Sequence, residues 1–195
     1  MTVESLPRTG PRHGWSERFA DLPDGVQIVS EPFVAMADLR VDPASPAAAA
    51  VAAHLGVALP TAPSWVEGDT ALVIWMGPDE WLVMSPFRSP QDLEAGLRAA
   101  VGGAGAVVDV SAQRTTLRLR GEHARDLLAG GCSLDLHPRV FGRGAAAQTL
   151  LGQAGVLLMA LDDTGTHYRL VVRSSFAGYL TAWLLDAATE YRTAG

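Results

Sequence analysis

Residues 105–144, GAVVDVSAQRTTLRLRGEHARDLLAGGCSLDLHPRVFGRG, constrain the fold more than any other part of the chain. The run spells strand, strand, helix, turn and strand in that order. Thr115, Leu117 and Leu119 alternate with Arg114, Thr116, Arg118 and Arg120, the two-residue period of a strand with one buried face. Gly121 ends that strand. From Glu122 to Ala129 the period lengthens, and Ala124, Leu127 and Leu128 fall on one helical face. Gly130 and Gly131 are expected to stop the helix in the left-handed conformation that glycine adopts without penalty. Cys132 to Leu136 then reads as a further strand, ended by Pro138.

The same grammar occurs earlier. Phe33 to Val41 is a strand candidate, and Pro46 opens an alanine-rich helix to about His54, with Asp42 or Ser45 available as its cap. Ala71 to Met76 and Trp81 to Ser85 form a hairpin around Gly77, Pro78 and Asp79. Gln91 to Val101 is a helix that Ser89 is placed to cap. In the second half, the hairpin 155–161/167–173 turns through Asp162, Asp163, Thr164 and Gly165, and a last helix runs from about Phe176 to Ala188. The expected architecture is α+β: two βαββα (ferredoxin-like) units with antiparallel sheets and helices on one face of each. The boundaries are an extended N-terminal arm over 1–30, a first unit over 31–104 and a second over 105–195. Segments 71–76 and 156–161 are apolar on both faces, which places them in sheet interiors covered twice. Either the other half of the molecule or a partner chain could supply the second cover.

Composition excludes several function classes. Of 195 residues, 48% are hydrophobic and 18% charged, below the usual charged share of about 25%. Such a surface fits either a partner-covered face or a chain that is merely alanine-rich. All 15 basic residues are arginine, with neither lysine nor asparagine present. That rules out a P-loop lysine, a Schiff-base lysine, an SxxK nucleophile and an N-glycosylation site. A net charge of −6 without a basic cluster argues against nucleic acid. One cysteine excludes an internal disulfide and a cysteine-rich zinc site. The opening MTVESLPRTGPRHG lacks the apolar core of a signal peptide, and ALVIWM and VLLMAL are too short to cross a bilayer. The expectation is a soluble, cytoplasmic chain.

Each chemical motif has a structural counterpart. VGGAGAVVDV at 101–110 imitates a dinucleotide loop, but its glycines precede a strand instead of opening a helix, so it reads as a connector. His123, Cys132 and His137 invite a metal or thiol reading; on the strand reading, Cys132 sits with Leu134 and Leu136 in the core, opposite Ser133, Asp135 and His137. SSFAG at 174–178 caps the last helix with Ser174 or Ser175 and forms no nucleophile elbow. Arg114, Arg118 and Arg120 share one strand face, and Arg169 and Arg173 another. Such forks can dock carboxylates or phosphates, or can pair with nearby Asp and Glu on a solvated face. Trp65, Trp75, Trp81 and Trp183 are interface anchors or core residues, core packing being the reading for the last three. No constellation would run a reaction alone, so no catalytic residue is assigned.

GPDEWLV at 77–83, VVDVSAQRTTLRLRG at 107–121, GGCSLDLHPRVF at 130–141 and RLVVRSSFAGYLTAWLLDA at 169–187 are co-linear, and together they resemble the gamma subunit of heterotetrameric sarcosine oxidase. The resemblance covers roughly residues 30–190. More distantly, the segment from Thr116 to Gly144 is similar to the folate-binding fold of the glycine-cleavage T-protein. The first likeness implies a non-catalytic subunit of an oxidoreductase complex that demethylates sarcosine to glycine with peroxide formation. It implies no cofactor or metal in this chain: FAD, FMN, NAD and tetrahydrofolate belong to other subunits and zinc to the smallest. Its implied partners are the alpha subunit directly, and beta and delta in the complex, with no nucleic acid or membrane. The second likeness places Asp135 where the folate binders carry a functional aspartate, followed at matching distance by Gly144. Their acidic hairpin reads GVLLMAL here, and their asparagine is replaced around Arg173 and Ser174, which implies a vestigial site. Two alternatives stay open: a folate-binding or aminomethyltransferase-like protein using Asp135, and a gamma-like subunit serving another N-methyl amino acid oxidoreductase.

Overall fold

The computed structural model describes residues 10, 11 and 14–192. Ten strands form two five-stranded antiparallel sheets. In chain order they are β1 (Gln27–Glu31), β2 (Ala35–Val41), β3 (Trp65–Glu67), β4 (Leu72–Gly77), β5 (Glu80–Ser85), β6 (Gly105–Asp109), β7 (Arg114–Arg120), β8 (Ala146–Leu151), β9 (Ala154–Ala160) and β10 (His167–Arg173). The helices are α1 (Pro46–Leu55), α2 (Pro90–Val101), α3 (Ala124–Ala129) and α4 (Ala177–Ala187). One sheet has the order β3-β4-β5-β2-β6 and the other β1-β7-β10-β9-β8. β2-α1-β3-β4-β5-α2 and β7-α3-β8-β9-β10-α4 are therefore one motif used twice, each with a fifth strand added beside its first. The units are βαβββα, one strand longer than the sequence suggests, because β3 and β8 lie at sheet edges. There they show little of the alternation that marks a strand with one buried face.

The added strands are exchanged. β1 precedes β2 in the chain but pairs with β7, with Gln27 opposite Arg120 and Glu31 opposite Thr116. β6 precedes β7 but pairs with β2, with Ala37 opposite Asp109 and Val41 opposite Gly105. Two differences from the sequence reading follow. Of the arm expected over 1–30, residues 1–9, 12 and 13 lie outside the described residues, while its end is an edge strand of the second sheet. The strand at 105–109, grouped by sequence with the second unit, completes the first sheet.

The sheets stack face to face with helices outside. α1 and α2 cover the first sheet through Val51, Leu55, Leu93, Leu97 and Val101, and α3 and α4 cover the second through Leu127, Leu128, Leu180 and Leu184. Between the sheets lies a third apolar layer that includes Met36, Ile74, Met76, Leu82, Met84, Leu157, Met159 and Val171. The doubly apolar strands β4 and β9 thus receive their second cover from the other half of the molecule. Unbranched, flexible methionine suits a layer where two twisted sheets meet imperfectly. Trp65 is buried in the same layer, its indole N–H donating to Ala160 O at 2.9 Å across the sheets.

Local signals decide the helix starts. Ser45 and Ser89 accept the Ala48 and Asp92 amides, and Pro46 and Pro90 occupy the first turns. The end of α3 differs from expectation: Gly130 has φ −62°, an ordinary helical value. Glycine is required one residue later for space, since a Cβ on Gly131 would lie 2.3 Å from the Trp183 ring. Cys132–Leu136 is not a strand; only Cys132 forms a single bridge, to Leu151. The last helix has no side-chain cap, and Ser174 Oγ donates instead to Ala112 O at 2.9 Å. No helix among the described residues is long and apolar enough to cross a membrane.

Candidate functional site

The strand exchange creates two crossovers, residues 32–34 between β1 and β2 and residues 110–113 between β6 and β7. They run beside each other: Met36 N donates to Ser111 Oγ at 2.9 Å, and Val110 N to Met36 O at 2.9 Å. Between them opens a cleft of about 600 Å³, lined in part by Glu31, Phe33, Met36, Asp109, Ser111 and Arg114. At its rim Phe33 has φ 60°, the one described non-glycine residue in the left-handed region, and its side chain is 51% exposed. Backbone held in this way costs of order 1–3 kcal/mol and persists only where its surroundings enforce it.

The arginines of β7 and β10 fall opposite one another in register, as Arg118 with Arg169 and Arg114 with Arg173. Facing guanidinium groups repel unless a carboxylate intervenes, and Glu31 does so for the first pair. Its Oε1 accepts Arg118 Nε at 2.5 Å and Arg169 Nη2 at 2.8 Å, while Oε2 accepts Arg169 Nε at 2.7 Å. Burial alone would push the Glu31 carboxyl up, but the hydrogen bonds and charges of Arg169 and Arg118 outweigh it and hold the group below the ordinary carboxylate range. Sequence reasoning missed Glu31, because its partners stand 87 and 138 residues away. The pairing of arginine with nearby acid is present, yet Arg169 is buried, so this part of the face is not solvated. Arg120 Nε donates to His167 Nε2 at 2.9 Å, which requires a neutral imidazole; burial and then the Arg120 charge push the His167 pKa down.

Arg114 differs from the others. Its Nε is buried with no hydrogen-bond partner among the described residues. Burial above all pushes its pKa down from the ordinary arginine value; Asp38 and Glu80 oppose that shift through space and Arg173 adds to it. Glu80 is already committed to Arg40 at 2.5 Å.

The residues suggested by sequence as a metal or thiol group are placed apart. The His123 ring stacks on Tyr191 with centroids 4.5 Å apart, and His137 is exposed. Cys132 Sγ lies 3.8 Å from Thr149 Oγ1. Cys132 and Leu134 pack against the α3/α4 core beside the buried Leu136, so the packing role stands although the strand does not. Among the described residues no group of three or more His, Cys, Asp or Glu is arranged to hold a metal. Cys132→Ala is expected to cost about 1–2 kcal/mol at most and to leave assembly intact, measured by thermal unfolding and co-purification. Loss of turnover by the assembled complex with unchanged unfolding, or a stoichiometric metal lost on mutation, would reinstate a chemical role.

Asp135 is exposed on the loop joining α3 to β8. Its Oδ1 accepts the His137 amide at 2.9 Å, an Asx turn that supports the loop. Gly144 holds φ +90°, and its carbonyl accepts Trp65 N at 2.8 Å, linking the two sheets. Leu157 and Met159 of β9, within the segment that reads GVLLMAL, are buried in the apolar layer between the sheets. The glycine-rich segment before β6 is a connector in structure too: Gly102 caps α2 at φ 60°, its amide donating to Arg98 O.

Comparison with known proteins bears on this architecture. Residues 40–190 match the family described as sarcosine oxidase, gamma subunit. The sarcosine oxidase gamma subunit of Corynebacterium sp. strain U-96 is 39% identical over 165 residues, covering 83% of this chain and 78% of the relative. That of an Arthrobacter species is 38% identical over 162 residues, covering 82% and 78%. A chain in the structure of heterotetrameric sarcosine oxidase from Corynebacterium sp. U-96 superposes with a TM-score of 0.86 at 36% identity, over 96% of this chain and 98% of that one. The glycine cleavage system aminomethyltransferase T from Bartonella henselae superposes with a TM-score of 0.63 at 15% identity, over 92% of this chain and 50% of that one, a likeness of fold alone. Family match, relatives and a nearly end-to-end structural correspondence agree, and the chain belongs to the sarcosine oxidase gamma subunit family.

Proposed function

We propose that the chain is a non-catalytic structural subunit of a heterotetrameric sarcosine oxidase, supporting the oxidative demethylation of sarcosine to glycine by the complex. The observation that carries this reading is the correspondence, along nearly the whole length of both chains, with a chain of a heterotetrameric sarcosine oxidase. In this reading the alpha subunit is the direct partner, with beta and delta completing the complex. Flavins, NAD, folate and zinc reside in those other subunits, and the assembly works in the cytoplasm. The test is affinity purification of the tagged full-length chain from its own cells. Co-elution with larger, flavin-containing subunits and sarcosine-dependent peroxide release is expected. A monodisperse chain that carries flavin by itself overturns the reading, and a substrate panel on the complex distinguishes sarcosine from other N-methyl amino acids.

Asp135 separates this reading from a folate-using enzyme. A pterin presents several donors and acceptors that must be satisfied together, and the matching hairpin offers Leu157 and Met159. Each unpaired buried polar atom costs about 1–3 kcal/mol, so two or three remove most of the roughly 8 kcal/mol of a micromolar complex. Calorimetry on the full chain is therefore expected to show no tetrahydrofolate binding. Asp135→Asn should cost about 1 kcal/mol or less, through its Asx turn. Micromolar folate binding that disappears in Asp135→Asn would establish the enzyme alternative instead.

A further inference from the structure

The crossover cleft contains the elements of a ligand site that the subunit role leaves unused. Its volume of about 600 Å³ lies within the range of small-molecule pockets. Pro32, Phe33, Val34 and Met36 give it an apolar wall. Its acidic residues are already engaged: Glu31 is held by Arg118 and Arg169, and Asp109 Oδ1 accepts both Ser111 N at 2.9 Å and Ser111 Oγ at 2.6 Å. Arg114 lines the same space with its Nε buried and unpartnered. Arg114 as a whole is half-buried, and one buried N–H of a charged group left without an acceptor is already costly, so the site favours an anion.

We propose that this cleft binds a small organic monocarboxylate, its carboxylate on the Arg114 guanidinium and its apolar body against Phe33, Val34 and Met36. A planar carboxylate matches the guanidinium fork in shape and charge. A doubly charged phosphate is disfavoured, because Glu31 and Asp109 border the same space, Asp38 and Glu80 already act on Arg114 through space, and one arginine cannot neutralise two further charges. Phe33 stands at the rim of this space with φ 60° and its side chain 51% exposed. The inference is independent of which subunits the chain assembles with.

The test is a titration of the full-length chain with benzoate, with inorganic phosphate and benzylamine as comparison probes. Saturable one-to-one benzoate binding is expected in calorimetry, with neither comparison probe matching it. Arg114→Gln is expected to weaken benzoate by about tenfold or more, while Arg120→Gln, outside the cleft, leaves it unchanged. Should Arg114→Gln fold poorly, the arginine Nε–H resonances of the unmodified chain provide the readout, and the Arg114 signal should move most with benzoate. Absence of saturation at millimolar benzoate, equal binding of phosphate, or binding that survives in Arg114→Gln overturns the proposal.

Discussion

Glu31→Ala is expected to destabilise the chain by about 3–5 kcal/mol, the scale for removing one partner of a buried ion pair and leaving the other uncompensated. The effect is large here because one carboxylate serves two cations. Arg118 and Arg169 face each other across β7 and β10, and Arg169 keeps only 9% of its side chain exposed. Without Glu31 the pair becomes a buried repulsion at the joint between β1 and the sheet. For a chain of this size the loss corresponds to a fall of about 6–20 °C in melting temperature. The pH dependence has a definite sign. Glu31 titrates below its ordinary 4.5 when folded, so its contribution is fully present above that value and is lost as pH falls through the lowered one. The stability difference between the native chain and Glu31→Gln should therefore stay level near neutral pH and narrow on acidification. A gap that widens as pH falls, or a thermal loss under about 1 kcal/mol, would show that the clamp does not form.

Gly121→Ala is expected to cost about 3 kcal/mol or more and to lower the yield of folded chain sharply. Gly121 has φ +121°, and a Cβ there would lie 1.9 Å from the Gly25 carbonyl oxygen. That oxygen belongs to backbone and cannot swing aside, so the entry to β1 would have to move. Gly155→Ala is the control: it lies in β9 at an ordinary backbone angle, and nothing comes within 4 Å of the added methyl. It should be neutral or slightly stabilising, because alanine narrows the unfolded ensemble. Denaturant unfolding of the two variants side by side measures both. Equal effects would remove the claim that β1 is pinned at Gly121.

Features with short-range causes were legible without any coordinates. Ser45 and Ser89 cap helices because their hydroxyls need only reach an amide three residues ahead. The turn between β9 and β10 forms around Asp162, whose carboxylate accepts the Gly165 and Thr166 amides. The two antiparallel units and the interior positions of β4 and β9 follow from periods of two and 3.6 and from apolarity on both faces. Asp135 as a turn residue belongs to the same class, because its partner is two residues away.

Other features depend on contacts between distant residues. The stretch Cys132–Leu136 alternates well enough to read as a strand, yet it finds no neighbour beyond the Cys132–Leu151 bridge. A strand exists only where another backbone completes its hydrogen bonds. β1 and β6 have weak patterns of their own, and which sheet each joins is decided by partners such as Arg120 for Gln27 and Asp109 for Ala37. The same exchange brings Glu31 between two arginines and sets the crossovers side by side, leaving Arg114 in the cleft. The sequence by itself determined the helices, the Ser45 and Ser89 caps and the doubly apolar strands β4 and β9, because those energies act over one turn or one strand width. Only the tertiary structure decided which sheet the edge strands complete and which charges meet, because those energies arise between residues many tens of positions apart.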